Sequence, residues 1–228
     1  MNILIILSYG AFIWILHYLS DYISLKFIKY KDKILSFAAG ISITYLFLEL
    51  LPQIHEENIE KLRTISYVSI LIGFSIFHLL EKYVYQHSNK EELFERLKHI
   101  HTFGFFVYYL IIGAVLYYLM ESSLKAGTLF LIPILFHSTI SSASSKELHE
   151  DIKVNKYIRI TVSSSTIIGI LIAYYIGVTQ SVYYGILGFV IGALFYIIIK
   201  DILPEQKEGD PKYFLVGMAL FIILLIMI

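Results

Sequence analysis

The sequence predicts an all-α integral membrane protein, a single bundle of eight transmembrane helices containing an inverted repeat. Three observations lead there. Hydrophobic residues make up 57% of the 228 and charged residues 16%, against about 45–50% and about 25% in soluble domains. The charges also fall in clusters between long apolar runs, which is the pattern of a polytopic membrane protein. Second, residues 40–52 read GISITYLFLELLP and residues 192–204 read GALFYIIIKDILP. Each is a Gly, eight mostly apolar residues, an acid, Leu or Ile, then Leu-Pro. Third, Lys and Arg are shared very unevenly among the loops.

A helical span needs roughly 20 apolar residues, and eight such stretches follow in order at about 2–20, 34–54, 65–85, 100–120, 127–145, 158–177, 181–201 and 213–228. The first has no basic leader and no small-residue cleavage site, so it reads as a retained span. The second and seventh carry the two copies of the repeated pattern. The fifth is the most polar, with HSTISSASS at 137–145, and belongs inside a bundle with its hydroxyls turned to other helices or water. Thr161, Ser163, Ser164, Ser165 and Thr166 in the sixth read most simply as helix-packing residues. The connections are short, so residues 1–228 form one polytopic membrane domain. With 0 Cys there is no disulfide and no thiolate metal site, and a net charge of +0 gives no reason to expect a nucleic acid.

Eight spans place all odd-numbered loops on one side. Those loops and their flanks hold all but three of the 18 Lys and Arg residues; Lys61, Arg63 and Lys125 are the exceptions. Cytoplasmic loops carry the basic excess, so both termini are expected outside, at the cell membrane. The second and seventh spans then run in opposite directions, with Glu49 near the outer face and Asp201 near the inner. Inverted repeats are a sign of transporters, with substrate held near the midplane between the copies. The other reading of each acid is an interfacial carboxylate beside a helix-ending Leu-Pro.

Several segments resemble the Zrt/Irt-like (ZIP) metal transporters. AAGISITYLFLELLPQ is similar to that family's second span, which typically ends in His-Leu-Leu-Pro-Glu. GFSIFHLLEKYVY resembles its third span, where Leu-Glu-Lys is common. IGALFYIIIKDILPE resembles its seventh, with Gly-Ala…Tyr…Asp-Leu-Leu-Pro-Glu. The resemblance covers nearly the whole chain and implies a ZIP-like fold and a divalent cation, Zn²⁺ or Fe²⁺, carried toward the cytoplasm as substrate. It departs where the ligands should lie. The family's fourth span usually carries His-Asn-x-x-Asp; aligned on IIGA at 111–114, those positions are Gly104, Phe105 and Tyr108. The fifth usually reads His-Glu-x-x-His-Glu; here it is His137, Ser138, Thr139, Ile140, Ser141, Ser142. The usual second-span His is Glu49. One imidazole among hydroxyls is a weak setting for a dehydrated dication, so the family's two-metal centre is not expected.

What remains for chemistry centres on His137. His137, Ser141 and Ser144 share one helix face, and His137 lies roughly 15 Å deep at 1.5 Å per residue. Tyr108 approaches similar depth from the other side, so the two could meet near mid-bilayer, as a transport site or as a structural hydrogen bond. His101, with His99 beside it, follows the fourth-span stripe as a second metal-ligand candidate or a solvated interface residue. His78 and Glu81 form an alternative exit pair, and Glu81-Lys82 an ordinary interfacial charge pair. His55-Glu56-Glu57 and His149-Glu150-Asp151 are cation-gathering clusters or solvated turns. Lys200 either snorkels or neutralises Asp201. His17 has no partner identifiable in the sequence. No phosphate loop or hydrolase spacing points to an enzyme. The function expected is divalent metal transport; the alternatives are a non-transporting sensor, binding or structural protein of the same fold, or a carrier of another small polar or cationic substrate. The bilayer is the certain partner, and a homodimer is compatible with the sequence.

Overall fold

A computed structural model describes residues 1–88, 93–147, 156–202 and 209–228. Apolar runs separated by short polar turns give eight helices: α1 (Ile3–Phe27), α2 (Lys31–His55), α3 (Glu60–His87), α4 (Leu93–Ser122), α5 (Leu124–Glu147), α6 (Lys156–Ile176), α7 (Gln180–Ile197, continued by Ile198–Ile202) and α8 (Pro211–Met227). No strand occurs among the described residues. Each expected span falls on one of these helices. Six helices are long and apolar enough to cross a membrane, and the fold is that of an α-helical integral membrane protein. The apolar helices Leu124–Ser138, within α5, and Pro211–Met227, which is α8, are shorter. The outward surface is apolar, as at Leu4, Leu71, Leu79, Leu215 and Ile226, which suits lipid.

The two copies of the repeated pattern have the same local structure. In each, the regular helix gives way to a wide turn with main-chain bonds of π type, at Leu46–Leu50 and at Ile198–Ile202. The amide of Leu46 bonds the carbonyls of Ser42 and Ile43, and that of Ile198 bonds those of Leu194 and Phe195. In the first copy the Leu51 amide reaches back five residues to Leu46. Pro52 has no N–H to offer, so the Phe47 carbonyl cannot take its donor from the residue five positions on. α2 and α7 run antiparallel, since Phe47 packs on Phe195 and Gln53 reaches Tyr183. That is the geometry of an inverted pair.

Four helix pairs pack most closely: α3 with α7, α2 with α8, α4 with α6, and α1 with α5. Glycines allow three of these contacts to reach backbone. A side chain at Gly192 would strike the main chain of Ile70 and Phe74, and one at Gly73 that of Phe189 and Ala193. Gly40 and Gly217 do the same for α2 and α8, and Gly113 and Gly169 for α4 and α6. Close backbone approach replaces the hydrophobic effect as the source of cohesion in lipid. The Ser66 hydroxyl lies 3.1 Å from its own-helix carbonyl of Leu62 and 3.2 Å from the Tyr184 carbonyl across the α3–α7 contact. Exchanging α1 with α6, α2 with α7, α3 with α8 and α4 with α5 turns each of the four close pairs into another of the four.

These pairs assemble into two groups. α2, α3, α7 and α8 form one; α1, α4, α5 and α6 form the other, tied together by α1–α6 and α4–α5 packing. Within the first group the α2–α8 and α3–α7 pairs touch only sparsely; the boundary between the groups, where α2, α3 and α7 face α4 and α5, is more closely packed than that seam. Aromatic rings bridge the boundary at Tyr45–Phe130, Phe37–Phe136, Phe77–Tyr108 and Tyr118–Tyr183.

Candidate functional site

The polar centre of the bundle is built by α1, α4 and α5. His137 falls after four turns of α5, one turn beyond Pro133, and is fully buried. Leu93–Ser122 runs antiparallel to α5 and brings Tyr108 and Tyr109 to the same level, both fully buried. The His137 ring lies 5.6 Å from that of Tyr108, edge-on, 6.2 Å from Tyr109 and 6.3 Å from Phe105, measured between centroids. Tyr108 in turn meets Phe77 of α3 at 5.9 Å, so the cluster touches the boundary between the two groups.

His17 completes the cluster from α1. Its ring lies 4.3 Å from Tyr109, so the residue that the sequence left without a partner packs against the centre. Helical spacing within α1 carries no signal for this contact; only the packing of α1 on α4 and α5 supplies it. Both ring nitrogens of His137, Nδ1 of His17, the Tyr108 hydroxyl and the Thr166 hydroxyl are buried without hydrogen-bond partners. Four of these five atoms surround the Tyr108–Tyr109 edge of α4.

The other expected path residues divide. Gly104 faces Phe77, whose ring would sit at an ordinary 3.8 Å from an added Cβ, so packing alone does not demand glycine there. Ser138 is buried and donates to the Leu135 carbonyl of its own helix at 3.0 Å. The side chains of Ser141, Ser142, Ser144, His99, His101 and Asp201, and all of His149, Glu150 and Asp151, lie outside the described residues. Among the described residues no three His, Cys, Asp or Glu side chains converge as a metal centre.

Glu49 does not join His137. It lies one helix end away, in an open cavity of 370 Å³ lined by Leu48, Pro52, Gln53, Glu56, Glu57 and Tyr184, among others. The wide turn of α2 forms one wall. The Tyr184 hydroxyl and the Ile59 amide, 3.0 Å away, hold the Glu57 carboxyl below the usual carboxylate range. At the opposite end, Glu81 accepts from the Tyr196 hydroxyl at 2.5 Å and pairs with Lys200 at 2.9 Å. Glu81 is thus held by Tyr196 and Lys200, and the His78 ring lies 6.0 Å from that of Tyr196. Cation–π placement over Tyr85 at 5.8 Å steadies the same ammonium.

No known protein family matches the chain, and no curated protein is similar to it.

Proposed function

We propose that this protein is a ZIP-like carrier of a metal cation, moving it across the membrane toward the cytoplasm by displacement of one four-helix group against the other. The observation that carries this reading is the division of the bundle. Close, glycine-dependent packing lies inside the α2–α8, α3–α7 and α4–α6 pairs, side-chain and ring contacts join the two groups, and the buried polar cluster around His137 sits beside that boundary at Tyr108 and Phe77. A boundary of side-chain contacts can slide or rock where backbone-to-backbone contact cannot. The cavity at Glu49 is then the outer vestibule, whose carboxylates raise the local cation concentration. The resemblance to the ZIP family implies a divalent cargo of the zinc or iron class.

Uptake into proteoliposomes across a panel of metal cations tests this, with His137→Ala as the site variant. Uptake of at least one cation, abolished by the substitution, is the expected result. A reporter active only in the cytoplasm and fused to the N-terminus should be silent; a bright signal would reverse the orientation.

A second reading, a non-transporting sensor, binding or structural membrane protein with the same fold, is favoured by the lack of a three-ligand cluster among the described residues. Folded protein that takes up none of the cations would select it.

A further inference from the structure

We infer that the cavity beside Glu49 binds an elongated organic polycation of the alkyl polyamine class, with one ammonium group at Glu49 and another at Glu56 and Glu57. The site stands on its own geometry. It rests on the carrier reading only for its purpose, which is to control the entrance that cations use.

Shape points to a chain rather than to a single ion. The cavity holds 370 Å³, within the range of about 300–1,000 Å³ usual for small-molecule sites. Glu49 and Glu56 both line it and stand seven residues apart, a rise of about 10 Å along a helix. Three carboxylates therefore share one cavity, yet they do not converge as a metal centre. A ligand with ammonium groups spread along its length meets such acids one by one, whereas a compact dication does not.

The lining between the acids suits the same ligand. Leu48, Pro52 and Ala126 give an apolar wall, and Tyr184 a ring. Methylene groups gain by leaving water for such a wall, and an aromatic face attracts an ammonium. No described Lys or Arg lines the cavity. Glu57 keeps its charge, because the Tyr184 hydroxyl and the Ile59 amide hold its carboxyl low. One further group, independent of the acids, lies behind Glu49. Tyr45 is one turn earlier on α2, fully buried, and within electrostatic reach of Glu49 and Tyr183. Its hydroxyl has no hydrogen-bond partner among the described residues, so it offers a lone pair to an ammonium held at Glu49.

Full-length protein in nanodiscs of zwitterionic lipid is titrated calorimetrically at low ionic strength with spermidine, an amine chain of comparable reach. Butylamine, ethylenediamine and Mg²⁺ are titrated in parallel. One saturable spermidine site is expected, at least tenfold tighter than any of these three. Glu49→Gln and Glu56→Gln should each weaken spermidine at least threefold. Asp32→Asn, at the other end of α2, should leave it unchanged. Lys125 acts on the Glu49 charge from outside the lining and so competes with the ligand. Lys125→Gln should therefore tighten spermidine, a gain that a misfolded variant does not give. The comparison among the four cations needs no variant at all. Mg²⁺ or ethylenediamine binding as tight as spermidine, or wild-type affinity in both Glu→Gln variants, would overturn the assignment. Spermidine binding without uptake of any metal would keep the site and remove the carrier reading. Metal uptake without spermidine binding would do the reverse.

Discussion

Glu81 sits at the edge of an apolar bundle with one carboxyl oxygen accepting from the Tyr196 hydroxyl and the other paired with Lys200. The carboxylate is only 12% exposed, whereas Lys200 is 48% exposed, and the two should respond differently to mutation. Glu81→Ala strands the half-buried phenol and should destabilise by about 1–3 kcal/mol. Lys200→Ala loses a solvent-facing ion pair and should cost less than about 1 kcal/mol. Thermal unfolding in detergent measures both. Glu57 allows a pH prediction. Its carboxyl is held low by Tyr184 and the Ile59 amide, so the stabilisation it gives the α2–α3 turn is present above the ordinary carboxylate pKa and is lost as pH falls through the lowered value. The Tm difference between wild type and Glu57→Gln should therefore be present at neutral pH and vanish in acid. At this scale the sequence was only partly legible. The apposition of Tyr108 and His137 follows from counting residues inward along two spans. The His17–Tyr109 and Glu81–Lys200 contacts join helices with no sequence relation, and nothing in local spacing anticipates them.

The helices themselves were read from apolar runs, and their existence needed little more than length. The wide turns were not legible, because they depend on which carbonyl each amide selects ahead of a proline. Glycine positions were visible, but not which of them lie against backbone. Gly192→Val would drive a branched side chain into the main chain of Ile70 and Phe74. It should destabilise by about 1–3 kcal/mol or more, or prevent folding, seen as lost monodispersity or a large fall in Tm. Gly104→Ala meets only the Phe77 ring at ordinary distance and should be tolerated. Equal behaviour of the two variants would contradict the packing described for α3 and α7.

For the whole molecule, the repeated Gly…acid-Leu-Pro pattern and the loop charges were enough to place α2 and α7 in opposite directions. They did not show how the eight helices group, since that depends on contacts between helices that are not neighbours in the chain. Relative movement of the groups is open to a cross-linking test, simplified by the absence of cysteine. A thiol cross-linker joining Tyr118→Cys to Tyr183→Cys spans the boundary and should stop uptake. One joining Tyr9→Cys to Thr128→Cys lies within a group and should leave uptake largely intact. If both cross-links block uptake equally, the groups do not move as units.

The four close pairs have a consequence for biosynthesis. Each joins parallel helices, α1 to α5, α2 to α8, α3 to α7 and α4 to α6, and none joins neighbours in the chain. A ribosome that has inserted α1 to α4 has therefore made none of these interfaces. The first half must wait in the bilayer, its glycine faces uncovered, until the second half arrives. Contacts of such long sequence separation form late, and quality-control proteases would meet this chain as a half-finished molecule. Stalling synthesis after α4 should yield a fragment cleared faster than any full-length variant.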